Sequence, residues 1–386
     1  MEKVAFSLAP CGPLDRLMAR TGLAGSTNRL ALRALIAALI TWLPLVILML
    51  LAPGGGERAT QRFFQDVATH VRFLLVIPLL ILAEGPIGIR TRMVAEHFHS
   101  SGLLDEADQP RFQAILRAGQ KLLNSGLAEF LIALLAYGCM SWLVLTLTRD
   151  GKVYWFEELG PHGEQLTKAG WWYAAVVPLV AFLFLRWVWR YMLWSWFLHR
   201  VARLDLRIAT THPDRVGGLG FVTIGHTAFA AIGLAASCVV AAAAANHILN
   251  EGIPLQHYQA MLITFVVLLV MLGLAPLALF APRLVIAKRD GLMEYGHLAT
   301  VYIREFEDKW LGRKAPKDEP LLGSADIQSL ADLGGGFERL DDMRVMPFDK
   351  RTAIAFAASA VGPMLPLLLT VMPLKEIVKL LVKSLV

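Results

Sequence analysis

The sequence predicts an all-α polytopic membrane protein, a bundle of about seven transmembrane helices with amphipathic helices on its cytoplasmic side. Three observations carry this. Of 386 residues 56% are hydrophobic and 18% charged, with a mean hydropathy of +0.54. A soluble chain carries roughly 25% charged residues. Apolar runs of membrane-spanning length recur along the chain, and such a run needs about 20 residues. Basic residues concentrate in alternate loops, as the positive-inside rule requires. The net charge of +6 fits basic cytoplasmic loops and needs no nucleic-acid partner.

Residues 1–33 hold Lys3, Arg16, Arg20, Arg29 and Arg33 against Glu2 and Asp15, which predicts a cytoplasmic N-terminal segment. No signal-peptide core is expected, because the first long apolar run starts only after Arg33. The membrane region, 34–283, is expected to hold six spans. The first covers about 34–52 and is interrupted at Pro44. The second covers about 71–89, with Pro78 and an intramembrane Glu84. Residues 90–124 read as a polar, helical cytoplasmic insert, with Phe112, Ile115, Ala118 and Leu122 at helical spacing.

The third span, about 127–147, has Glu129 near its inner end. The loop after it carries three basic and four acidic residues and reads as external. Tyr154, Trp155, Trp171, Trp172 and Tyr173 there suggest an aromatic belt at the interface. The fourth span, from Trp171, contains Arg186 and Arg190. At 100° per residue both share a face with Leu193, Phe197 and Arg200, flanked by Trp187 and Trp194 on one side and Trp189 and Trp196 on the other. From Arg186 to Gly220 six basic residues oppose Asp205 and Asp214, the strongest cytoplasmic signal in the chain.

The fifth span, about 220–246, repeats Gly233, Ser237, Ala241 and Ala245 at every fourth position, so another backbone can approach closely. The sixth, about 260–283, is bent by Pro276 and Pro282. The cytoplasmic segment 284–351 begins with a stripe of Leu292, Tyr295, Ala299, Tyr302, Phe306 and Trp310, an amphipathic helix. Two short helices separated by Gly334, Gly335 and Gly336 are expected to follow. Residues 352–386 read as a seventh span, or as a re-entrant hairpin through Pro363 and Pro366. An amphipathic tail with Lys375, Lys379 and Lys383 on one face then follows. Cys11, Cys139 and Cys238 form no disulfide framework.

Two constellations are candidate sites. The first is the intramembrane charge set Glu84, Glu129, Arg186, Arg190 and His226. An arginine at a helix centre costs ~2.5–3.5 kcal/mol on insertion scales, so these groups should face the bundle and find partners. A buried ion-pair network is the main reading; an ion or proton pathway and a lipid-headgroup site are the rivals. The second is the loop His212, Pro213, Asp214, Arg215, Gly217, Gly218 and Gly220. It reads first as a structural turn, with Pro213 stopping the helix, Asp214 capping and the glycines permitting tight re-entry. A phosphate site built from Arg215 and free amides is the alternative. Its HPD triplet also occurs in J-domain co-chaperones, but here the loop joins two spans.

HPDRVGGLGF, preceded by an aromatic and arginine-rich span, resembles a loop of uncharacterised bacterial multi-spanning membrane proteins. DIQSLADL and MRVMPF look like the same family's cytoplasmic segment, so the resemblance covers most of the chain from the second span onward. It implies a bacterial inner-membrane location and brings no activity. No metal site or cofactor is expected: Glu96-His97-Phe98-His99 is the nearest approach, and its two histidines fall on different helix faces. Three function classes remain. A channel or transporter for a small solute or ion leads, possibly working as a homo-oligomer. A scaffold recruiting a cytoplasmic protein partner and an enzyme acting on lipid or headgroup follow.

Overall fold

The computed structural model describes residues 6–8, 12, 27–52, 56–147, 155–160, 163–312, 314, 319–320 and 324–370. Within them seven helical runs are long and apolar enough to cross a bilayer. The fold is an all-α polytopic bundle.

Helix α1 (Thr27–Leu50) starts before residue 34, so Arg33 lies inside the helix. It buries Ala34, Ala38, Leu45 and Met49 and turns Leu35, Leu39 and Leu43 outward, the side left for lipid. A surface helix, α2 (Gly56–Gln65), leads into the long run α3 (Val67–Ser100). Asp66 caps α3 by accepting the Thr69 amide at 3.1 Å. Pro78 has no N–H for the Leu74 carbonyl, and a π turn over Arg72–Val76 absorbs the mismatch. The run does not stop near 89. It continues to Ser100 because Val94, Ala95 and Phe98 are buried beyond the apolar stretch.

Helix α4 (Gln109–Leu123) forms as expected but on a rotated face: Phe112, Leu116, Gly119 and Leu123 are buried, while Ala118 and Leu122 are exposed. Gly119 sets this rotation, since a β-carbon there would come within 2.7 Å of the Phe6 ring. α5 (Gly126–Leu147) packs along α6 (Lys168–Ala202). Between them β1 (Glu157–Gly160) and β2 (Gly163–Leu166) pair as an antiparallel hairpin. Trp155 and Tyr173 are not belt residues. Both are buried: the Trp155 indole donates to Asp66 Oδ2 at 2.8 Å, and Phe156 stacks on Tyr173. Trp171 is largely exposed, as a belt residue would be; Tyr154 lies outside the described residues.

The small-residue ladder of α7 (Val222–Glu251) does receive a close neighbour, α10 (Lys350–Thr370). The Ser237 hydroxyl bonds the Ala360 carbonyl, and Gly233 faces Leu269 and Ser359. α8 (Leu255–Leu311) is one continuous helical run, so the sixth span and the amphipathic stripe are one element. Pro276 falls in a 3-10 stretch, Ala275–Phe280, that bends the run without ending it. Pro276 cannot donate to the Leu272 carbonyl. The Tyr191 hydroxyl donates there instead, at 2.6 Å.

The three glycines do not separate two helices. α9 (Ala325–Asp341) runs straight through them. Each glycine costs about 1 kcal/mol relative to alanine, but α9 packs on α8, with Gly336 against Tyr295, and tertiary contact overrides propensity. α10 is helical through Pro363 and Pro366, and the lysine tail after it lies outside the described residues. The 203–221 connection, α4 and residues 342–348 form a layer at one end of the bundle, opposite the hairpin end. Leu104 bridges to Leu206 and the Asp205 amide donates to Asp108 Oδ2 at 2.9 Å, tying this layer together.

Candidate functional site

The chain is an integral, multi-pass membrane protein, and its intramembrane charges are gathered into one knot. Glu84 sits just after a turn at Ala83 in α3. Its Oε1 receives Arg186 Nη1 at 2.9 Å and Arg190 Nη1 at 3.2 Å, both from α6. Its Oε2 lies 3.2 Å from Arg33 Nη2 of α1. Arg186 Nε also reaches Glu129 Oε1 of α5 at 3.2 Å. Glu84 and the three arginines are buried. Arg190 stacks over the Trp187 ring at 4.9 Å, and the Trp187 indole donates to the Leu80 carbonyl beside the Ala83 turn. Glu84 therefore joins three spans, and Arg186 brings in a fourth, α5, through Glu129. Arg33 is the member that sequence reasoning misses, because it stands at the edge of the first apolar run.

His226 does not join this knot. Its Nδ1 accepts the Trp194 indole at 3.2 Å, and its Nε2 faces the Gly273 carbonyl in the last turn before the 3-10 bend of α8. With both ring nitrogens used, it closes the α6–α7–α8 packing.

The His212–Gly220 loop is a filled nest. Asp214 Oδ1 accepts the Val216 amide at 2.9 Å and the Gly218 amide at 3.1 Å, and Oδ2 accepts the Gly220 amide at 2.9 Å. Arg215, Gly217 and Gly218 all have positive φ, which turns these amides inward. At Gly217 a β-carbon would lie 2.1 Å from Ile208, so no other residue fits. The amides that a phosphate site needs are thus taken by the loop's own carboxylate. Burial works against the Asp214 charge, but the three amides and His212 outweigh it and hold the carboxyl below its ordinary range. Pro213 occupies the turn between His212 and this carboxylate. Arg344 locks the loop from outside: its amide donates to the Arg215 carbonyl at 2.7 Å and its Nη2 to the Asp214 carbonyl at 3.2 Å. HPDRVGGLGF and MRVMPF, distant in sequence, are one contact in space.

A cavity able to hold a ligand lies elsewhere, at the hairpin end. It measures 520 Å³ and opens between α3, α5, α6 and α7. Its rim carries Asp66, Arg72, Tyr173, Asn246 and His247. Its depth is apolar, walled by Met140, Val177, Val180, Ala181, Phe184 and Val239. From Tyr173 to Phe184 it extends about 16 Å along α6, ending just before Arg186. A second concavity of 430 Å³, between α8 and α10, offers only Gln256 and Gln259 among its polar groups and discriminates little. Among the described residues no group of three or more His, Cys, Asp or Glu could hold a metal ion. Comparison of the chain with protein families, curated proteins and solved structures finds no match.

Proposed function

We propose that this protein is a transporter for a small amphipathic solute, which enters the cavity at the hairpin end. The observation that supports this is the cavity itself, with a polar rim and an apolar depth. The apolar depth offers a permeating ion no coordinating group in place of its hydration shell. The ~16 Å depth is close to the roughly 15 Å of hydrocarbon in one bilayer leaflet, so a leaflet-length apolar chain fits with its head at the rim. The charge knot serves as a fixed floor for this pathway, since Glu84 is held by three guanidiniums and is poorly placed to relay protons.

The scaffold reading relied on a free stripe on α8. That stripe faces α9: the Tyr302 hydroxyl donates to the Asp326 carbonyl and the Trp310 indole to the Asp326 carboxylate. The loop layer, with its basic excess, is the cytoplasmic side in this proposal. The hairpin end is external, in a bacterial inner membrane, and the N-terminus is cytoplasmic.

Proteoliposomes loaded with a fluorescent single-chain amphiphile test the proposal. The parent protein is expected to accelerate its transfer above empty vesicles, and Ala181→Trp, which fills the depth, to abolish the gain while assembling normally. Transfer equal to empty vesicles for the parent across a range of amphiphiles would end the transport reading.

A further inference from the structure

We propose that Arg72 reads the head of the transported molecule and that this head is anionic, a carboxylate or a phosphate monoester. The inference rests on the cavity being the solute site and names the chemical class of that solute. Arg72 lies six residues into α3, opens its π turn and lines the cavity rim, half-buried. Its Nη1 donates to the Tyr173 hydroxyl at 3.0 Å. Among the described residues no carboxylate lies within ion-pair distance of it, whereas Arg33, Arg186 and Arg190 in the knot all have one.

Asp66, on the same rim, makes no ion pair with Arg72 among the described residues, and both its oxygens are held by other donors. Its Oδ1 accepts the Thr69 amide, and its Oδ2 accepts the Thr69 hydroxyl at 2.6 Å and the Trp155 indole at 2.8 Å. His247 is turned to Glu251 at 2.9 Å. A guanidinium held by a phenol, lining a cavity and with no carboxylate at ion-pair distance among the described residues, presents a planar fork of donors. That fork matches a carboxylate or phosphate through two parallel bonds. Asn246 lines the same rim; its side-chain oxygen accepts from Asn250 at 3.0 Å, so its own amide N–H groups remain to bond a head. Cation and apolar depth together select an anionic single-chain amphiphile over a free anion, which would leave the depth empty.

The test is binding to the purified full chain in nanodiscs of uncharged lipid. The probes share one chain and differ in head: dodecyl phosphate, laurate, dodecanol and dodecyltrimethylammonium, with inorganic phosphate as a chainless control. The parent is expected to bind the two anionic probes at least about tenfold more tightly than dodecanol, and the cationic probe more weakly still. Arg72→Gln should reduce the anionic probes to the dodecanol level and leave dodecanol unchanged. Arg72→Lys, which keeps the charge and loses the fork, should fall between. The comparison of heads in the parent needs no variant, so a folding defect in Arg72→Gln cannot mask the answer. Equal binding of all heads overturns the anionic assignment and leaves the cavity reading standing. Binding of none overturns both. Inorganic phosphate competing as well as dodecyl phosphate overturns the amphiphile and leaves a small-anion site.

Discussion

Removing the carboxylate at the centre of the charge knot should cost more than removing any one of its cations. Arg33, Arg186 and Arg190 against Glu84 and Glu129 sum to one positive charge (three minus two). Glu84→Leu raises this to two (three minus one) and strands buried guanidiniums. Breaking a buried pair by deleting one partner costs about 3–5 kcal/mol. Arg190→Leu instead brings the five groups to neutrality (two minus two) and leaves Glu84 with Arg33 and Arg186. Its cost is mainly the stacking on Trp187, about 0.5–2 kcal/mol. The double variant restores the parent's net charge, so its cost should fall at least about 1 kcal/mol below the sum of the singles. Reversible unfolding in detergent, followed by circular dichroism, gives the three numbers. Equal costs for the two single variants together with simple additivity would refute the argument.

At the loop, Asp214→Asn should weaken the nest by on the order of 1–3 kcal/mol, because one amide nitrogen of the new side chain cannot accept from the backbone. The Asp214 carboxyl is held below its ordinary value in the fold. Its stabilisation should therefore be complete above about pH 4 and be lost as pH falls through the lower folded value, which acid titration of parent against Asp214→Asn would reveal. At the α8 bend, Tyr191→Phe should cost about 1–2 kcal/mol by leaving the Leu272 carbonyl unbonded. Pro276→Ala, which restores an N–H, should reduce that cost, and a double-mutant cycle that shows no coupling would contradict the role given to Tyr191. For orientation, a cysteine-free chain with a single cysteine at Gly160 should label from outside intact cells with an impermeant reagent, and one at Ala209 should not. Labelling at Ala209 alone would invert the topology.

The seven spans were legible because each is a long apolar run, and no side-chain detail is needed to see one. The pairing of Arg186 and Arg190 with Glu84 and Glu129 was legible for a related reason: charges inside such runs must find each other. Arg33 escaped because a basic residue at the edge of a span counts equally as a cytoplasmic flank or as the first buried turn. The bend at Pro276 was legible from proline itself, and Tyr191 and His226 bond the carbonyls there. The helix through Gly334–Gly336 escaped because glycine was read by local propensity, whereas α8 covers that stretch. Trp155 and Tyr173 sit where a belt would, and only the hairpin shows that they face inward. The cavity has no signature in periodicity at all, since it is a gap left by residues of four spans and the hairpin. One signal was present: Arg72 stands just inside an apolar run, and the nearest acid in sequence, Asp66, caps its own helix.

The central claim, that the cavity between α3, α5, α6 and α7 holds an amphipathic molecule, is tested most directly by photo-crosslinking. A dodecyl phosphate carrying a diazirine near its chain end would be activated in nanodiscs and its adducts mapped by peptide mass spectrometry. The account predicts adducts concentrated at Val177–Phe184 and Val239, and their loss in Ala181→Trp. Adducts spread evenly over bilayer-facing residues such as Leu131, Val188 and Val267, unchanged by Ala181→Trp, would contradict it.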